Sequence, residues 1–132
     1  MMQMGEQNLI GKVGEEEARF YLIEHEYVIL ESNWRWRHYE IDIIATKDNE
    51  LVVVEVKTRS TGYLVSPENS IDQGKINRLV SAADAYVRKN NVNMPVRFDI
   101  ITLIKGNDGS FTIDHIEDAF YAPVRKSPRS GW

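Results

Sequence analysis

Residues 39–57 read YEIDIIATKDNELVVVEVK, and this stretch decides the fold. Two runs rich in β-branched residues flank Lys47-Asp48-Asn49-Glu50. Asp and Asn tolerate the positive φ of a tight hairpin turn. With Asp48-Asn49 as a two-residue turn, the register sets Asp42 opposite Glu55 and Glu40 opposite Lys57. Side chains alternate along a strand, so these four are expected on one face. Ile41, Ile43, Ala45, Val52, Val54 and Val56 are expected on the other. Ile44 and Val53 share the charged face, and Leu51 to Val54 is apolar without alternation. Such aliphatic strands are covered on both sides.

The charges on this hairpin carry chemistry. Two carboxylates whose Cβ atoms lie ~5 Å apart across a strand pair repel one another. A hard divalent cation, Mg²⁺ or Mn²⁺, removes that penalty because both prefer carboxylate oxygen and water. A lysine two residues further along adds a donor and a positive charge. Together these groups can position a water and neutralise charge developing on a phosphorus centre. The competing reading is a solvated hairpin face with alternating charges. Against it stands the apolar character of the third strand, since acids in a doubly covered strand are costly unless paired or liganded.

Working outward, residues 9–26 have helical spacing, with Ile10, Val13, Gly14, Ala18, Tyr21 and Leu22 on one arc. Gly11 and Gly14 are costly inside a helix, which predicts a close packing contact there. Tyr27 to Leu30 is a first strand, Asn33 to His38 leads into the second (Tyr39 to Ala45), and Leu51 to Lys57 is the third. Residues 59–70 read as a mobile loop overhanging the hairpin cleft. Residues 71–90 are a second helix, 96–104 and 111–116 two further strands around an Asn107-Asp108-Gly109 turn, and 122–132 a frayed basic tail. The expectation is one domain over residues 1–132, with its core at about 9–120.

Composition bounds the function. The 132 residues are 42% hydrophobic and 27% charged, enough for one core. Cysteine is absent, which excludes disulfides, thiolate zinc sites and a cysteine nucleophile. His25, His38 and His115 are scattered without metal-ligand spacing. Leu51 to Val54 is the longest aliphatic run and cannot cross a bilayer, and MMQMGEQNL has no apolar signal region. A cytoplasmic protein without a membrane partner is expected. No GxSxG, GxxxxGK[ST] or GxGxxG occurs. The net charge of −4 gives no general attraction to a polyanion, so nucleic acid would need a local basic patch. Arg35, Arg37 and Arg59 flank the hairpin beside Trp34, Trp36 and Tyr39, and Lys75 and Arg78 open the second helix. Arginines on phosphate beside aromatics under bases suit nucleic acid. Tryptophans that pack, with arginines in solvent, are the equal alternative. Asp99, in an apolar strand, reads as the buried partner of an arginine.

Asp42, twelve residues, then Glu55-Val56-Lys57 resembles the signature of the PD-(D/E)xK nuclease superfamily, with Ile41 where the name-giving proline stands. The wider chain is similar to a small bacterial family of YraN type. The matching blocks are Gly11-x-x-Gly14-Glu15-x-x-Ala18-x-x-Tyr21-Leu22, Asn33-Trp34-Arg35, Glu40 to Ala45, Val54 to Arg59, the Lys75 to Tyr86 helix and Arg97-Phe98-Asp99. They span about residues 9–104. The resemblance implies an α/β, restriction-endonuclease-like αβββαβ core, a mixed sheet flanked by helices as in archaeal Holliday-junction resolvases. It also implies that Asp42 and Glu55 ligate metal with the Val56 carbonyl, that Lys57 is catalytic, and that Glu15 supplies a further acid. On the helical wheel Glu15 lies at the margin of the apolar arc and Glu17 nearer its centre, so the two compete. The function expected is a Mg²⁺- or Mn²⁺-dependent endonuclease acting on DNA, ahead of RNA, or on branched nucleic acid. A homodimer would suit a two-fold junction. The alternatives are a non-catalytic nucleic-acid-binding module or adaptor, and an interaction protein whose acids bind no metal.

Overall fold

A helix, three antiparallel strands, a second helix and two more strands follow one another along the chain. A computed structural model describes residues 4–60 and 73–120, with side chains from residue 11 onward. The elements are α1 (Met4–Glu24), β1 (Val28–Trp36), β2 (Tyr39–Lys47), β3 (Glu50–Ser60), α2 (Gln73–Lys89), β4 (Val96–Lys105) and β5 (Phe111–Ile116). The five strands form one sheet in the order β1-β2-β3-β4-β5. All neighbours are antiparallel except β3 and β4, which pair in parallel from Leu51/Val96 to Ser60/Lys105. A parallel pair needs a crossover, and α2 lies within it. This is an α/β architecture with a mixed sheet, consistent with a restriction-endonuclease-like core. No helix among the described residues is long and apolar enough to cross a membrane.

The helices cover opposite faces. Ala18 and Leu22 of α1 pack with Ile43, Ala45, Val52, Val54, Ile101 and Leu103. Leu79, Ala82, Ala83 and Tyr86 of α2 pack with Ile44, Leu51, Val53 and Phe98. Leu51, Val52, Val53 and Val54 are all fully buried. That explains the unbroken aliphatic run in β3: odd and even positions serve different helices. Both helices end on a left-handed residue, Glu26 (φ 68°) and Asn91 (φ 51°). The Tyr27 N–H then reaches the Leu22 carbonyl at 2.9 Å and the Val92 N–H the Val87 carbonyl at 3.0 Å. These bonds satisfy carbonyls that the helix leaves open.

Gly14 is the close contact predicted for α1. A Cβ there would overlap Thr58 Oγ1 of β3 and stand 3.3 Å from its Cβ, whereas Gly11 faces open space. Val13, expected on the apolar arc, is 41% exposed. The covered stripe is narrower than that arc, running through Gly14, Ala18 and Leu22 at four-residue steps. Ile10 lies outside the described side chains. On the α1 side Asp99 is fully buried in β4. Arg97 donates to both of its oxygens at 2.9 and 2.8 Å, His115 Nε2 lies 2.7 Å away, and the Asp118 N–H donates at 3.0 Å. Tyr21 of α1 meets His115 Nδ1 at 3.0 Å, and Arg97 reaches the Tyr27 hydroxyl at 2.7 Å. Asp99 is thus the arginine partner that the sequence suggested.

Three boundaries need correction. The first helix, expected from residue 9, already begins at Met4 and ends at Glu24. The first strand does not stop at Leu30. It shifts register between Ile29 and Glu31 and continues to Trp36, closing on Tyr39 through Arg37-His38. The alternation Trp34, Arg35, Trp36 is itself a period-two pattern that suits a strand. The third strand runs to Ser60, so Arg59 belongs to the sheet and not to a loop. The loop expected beyond it, residues 61–70, and the tail at 122–132 lie outside the described residues.

Candidate active site

The β2–β3 register is the one the turn dictates, with Lys47 on Glu50, Ala45 on Val52 and Ile43 on Val54. It stops there. At the next position the Asp42 carboxylate accepts the Val56 backbone N–H at 2.8 Å. The side chain of Asp42 thus takes a bond that β2 backbone would otherwise supply, and the strands separate around it.

A second irregularity lies on the other side of Asp42. Asn33 of β1 has φ 52°, between the paired positions Ser32/Ile43 and Trp34/Ile41. Side-chain alternation reverses here. Ile43 and Ala45 pack toward α1, while Trp34, Trp36, Tyr39 and Ile41 pack toward α2. The expectation that Ile41 shares a face with Ile43 is therefore corrected, as is the placement of Glu40 beside Lys57. Glu40 instead meets Arg35 at 3.3 Å and Asn33 at 3.4 Å. A left-handed residue turns the following side chains over, and Asn is among the few that adopt it readily.

Asp42 therefore sits at the seam between the two layers. Burial pushes its carboxyl up, and the charges of Glu55 and Glu15 add to this. The Val56 N–H and Lys75 pull the other way, leaving it at about 8. Glu55, only 5% exposed, projects toward α2. One of its oxygens takes Lys57 Nζ at 3.3 Å and Lys75 Nζ at 2.9 Å. The two ammonium groups are unequal. Burial and the neighbouring Lys75 push Lys57 down, with Glu55 opposing. Burial works against the charge on Lys75, but its bonds to Lys57 and Glu55 outweigh it and Lys75 moves up. Lys57 is the amine that releases its proton more easily.

Glu15 is half-buried on α1, and its Oε1 accepts from the Asn33 amide at 3.0 Å, whereas Glu17 is exposed. The four-residue stripe through Gly14 and Ala18 turns Glu15 toward the seam and Glu17 away. Tyr39, read from the sequence only as an aromatic beside the arginines, also belongs to the site. Its hydroxyl is buried without a hydrogen-bond partner. Burial first, then the charges of Glu55 and Asp42, keep it protonated despite Arg78 nearby.

The basic residues divide. Lys75 joins Glu55 directly. Arg78 and Arg37 line a hollow with Trp36 and Tyr39, and Arg37 lies over the Trp36 ring at 4.6 Å. Arg35 is exposed on the opposite layer, bound to Glu40. Arg59 donates to the Thr58 carbonyl at 3.1 Å. Trp34 packs edge-on against Tyr86 of α2 with ring centroids 5.1 Å apart, so it is a core residue.

Among the described residues no group of three or more His, Asp or Glu side chains is arranged to hold a metal ion. The residues at the seam nonetheless fit a hard divalent cation. Two carboxylates are held close enough for Glu55 to raise Asp42. A cation is what relieves such a pair, and the donor set is oxygen throughout.

The chain matches the model of the "Uncharacterised protein family UPF0102" over residues 14–103. It is 62% identical to a UPF0102 protein of Parabacteroides distasonis over 92% of this chain and 100% of the relative. A UPF0102 protein of Bacteroides thetaiotaomicron is 54% identical over 92% of this chain and 99% of its own. One from Flavobacterium psychrophilum is 47% identical, over 89% and 98% respectively.

Proposed function

The chain belongs to the uncharacterised protein family UPF0102, and for it we propose a metal-dependent endonuclease that hydrolyses phosphodiester bonds in DNA or branched nucleic acid. The observation that carries this reading is the meeting of Asp42, Glu55 and Lys57 where β2 and β3 part. Asp42 and Glu55 would hold Mg²⁺ or Mn²⁺, with the Val56 carbonyl, and Glu15 would support Asp42 from α1. When bound, the cation supplies Lewis-acid stabilisation of phosphate oxygen.

The chain's own residues do the rest. A water oxygen attacks phosphorus, the bond to the leaving sugar oxygen breaks, the water gives up a proton, and the leaving oxygen takes one up from solvent. Lys57 Nζ, pushed down by burial and Lys75, is suited to orient that water and, once it has shed its own proton, to receive the water's. Lys75 Nζ keeps its charge, fixes the Glu55 carboxylate and offsets negative charge growing on the phosphate. The Tyr39 hydroxyl stays protonated and can donate to an oxygen that enters the seam.

A non-catalytic nucleic-acid-binding module is the second reading. It is favoured by one observation, that Lys57 and Lys75 already neutralise Glu55 without a cation. Calorimetric titration of Mn²⁺ into the protein and into Asp42→Ala separates the two, together with digestion of single-stranded, duplex, flap and four-way substrates. Saturable Mn²⁺ binding lost in Asp42→Ala, with cleavage of at least one substrate, supports the nuclease. Nucleic-acid binding with neither Mn²⁺ uptake nor cleavage leaves the binding module.

A further inference from the structure

A hollow lies between the β1–β2 turn and the second turn of α2. Trp36, Arg37, His38 and Tyr39 form one side, and Asn77, Arg78 and Ser81 the other. Its chemistry is unusual for a chain of net charge −4: it has two guanidinium groups, the rings of Trp36 and Tyr39 and the His38 imidazole, and no carboxylate lines it. Aromatic faces take a planar ring, guanidinium groups take phosphate, and the Asn77 amide can both donate and accept. Arg37 already stacks its guanidinium over Trp36 at 4.6 Å. A base extends such a stack, because its π-face meets a cation or another ring equally well.

We propose that this hollow holds one unpaired nucleotide of a single-stranded segment, next to the phosphodiester that the seam hydrolyses. The proposal rests on the nuclease reading and names its substrate class: strands with unpaired nucleotides at the cut, in preference to continuous duplex. Tyr39 joins the two places. Its ring lines the hollow, while its buried hydroxyl lies in the field of Glu55 and Asp42. A base seated against Tyr39 brings its own backbone to the seam. A base within a duplex is paired and stacked on both faces, and enters such a recess only by leaving the stack. The left-handed Asn33 serves the same end, since it turns Trp36 and Tyr39 toward α2.

The test is fluorescence anisotropy in chelator, where cleavage cannot occur, at one fixed salt concentration. The probes are a labelled single strand, a blunt duplex of the same sequence, and dAMP as competitor. The single strand should bind ~5-fold or more tighter than the duplex, the effect of one stacked base. Arg37→Ala with Arg78→Ala, both exposed positions, should remove that preference, and dAMP should compete only weakly. Trp36→Leu keeps apolar packing under the turn and should weaken single-strand binding by ~5-fold or more, with thermal melting to confirm folding. Equal affinity for both labelled probes overturns the proposal, as does a preference unchanged in the double-arginine variant. Competition by dAMP as strong as that of the strand replaces it with a free-nucleotide site. Single-strand preference without cleavage of any substrate defeats the nuclease reading alone. Cleavage without that preference defeats this proposal alone.

Discussion

The carboxylate of Asp42 accepts the backbone N–H of Val56 at 2.8 Å, at the position where the β2–β3 ladder ends. One acid therefore does two things. It substitutes for a backbone acceptor, and it stands within the field of the Glu55 carboxylate. Burial first, and then the charges of Glu55 and Glu15, raise the Asp42 carboxyl to about 8.

If the proposed nuclease reading holds, removing Asp42 or Glu55 abolishes divalent binding and cleavage together, because each takes away an oxygen of the proposed cation site. Lys57→Ala should bind Mn²⁺ as well as the parent or better, since a nearby positive charge is gone, yet cleave ~100-fold or more slowly. Calorimetry and single-turnover digestion measure the two effects separately. Parallel loss of both in Lys57→Ala would contradict the roles assigned.

The raised carboxyl of Asp42 has a definite sign in stability. An unfolded aspartate ionises near its ordinary value of ~3.9, whereas in the folded chain Asp42 keeps its proton to about 8. The native state thus binds the extra proton, and this contribution to stability is full below about pH 4 and is lost as pH rises to about 8. Asp42→Asn should flatten that part of the profile in urea melts run in chelator. An identical slope in the two proteins would show that Asp42 is ionised already.

Asp99 behaves in the opposite way. Burial pushes it up, but His115, Arg97 and the Asp118 N–H together bring it below the usual carboxylate value. Its stabilisation is present above ~3.9 and disappears only as pH falls through the lower folded value. Asp99→Asn should cost about 1.5–3 kcal/mol at neutral pH, because Arg97 and His115 lose their buried carboxylate and Arg97 is left with the more exposed Glu50 and Glu117 at 3.3 and 3.6 Å. The gap to the parent should narrow in strong acid, which denaturant titrations at neutral and low pH would measure.

Gly14→Ala gains up to ~1 kcal/mol in helix propensity but drives a methyl group into the Thr58 hydroxyl. A net loss of about 1–2 kcal/mol is expected, as for other overpacked contacts. Thr58→Ala in the same chain should restore much of it. A double-mutant cycle reads the coupling directly, and additive effects would mean that the two elements do not touch.

The hairpin was legible because two rules agreed on it, the Asp48-Asn49 turn and the period-two placement of its valines. The helix–strand contact at Gly14 was legible from the cost of glycine in a helix. The reversal at Asn33 was not, since a pattern of alternating side chains assumes that every residue keeps the same backbone hand. The reversal at Asn33, undone on β2 between Ile41 and Ile43, goes with Tyr39 and Trp36 meeting α2 and with Glu40 missing Lys57. Glu15 could not be separated from Glu17 on a wheel, because the stripe that α1 buries is narrower than an apolar arc suggests. The hollow joins residues 36–39 to 77–81, and proximity of that kind exists only once a helix has docked.

The parallel pairing of β3 with β4 has a consequence in time. The hairpins β1–β2, β2–β3 and β4–β5 close over short loops and can form early. The β3–β4 ladder must bring together Leu51 and Val96, with all of α2 in between, and long-range closures of this kind are slow. Lys75 rides on that intervening segment, so Glu55 receives its second ammonium only in the late step. A nascent chain holding the β2–β3 hairpin alone has the two acids but only Lys57 to set against them. Their repulsion then works against the hairpin until α2 arrives, and the seam around Glu55 is the last part of the molecule to be completed.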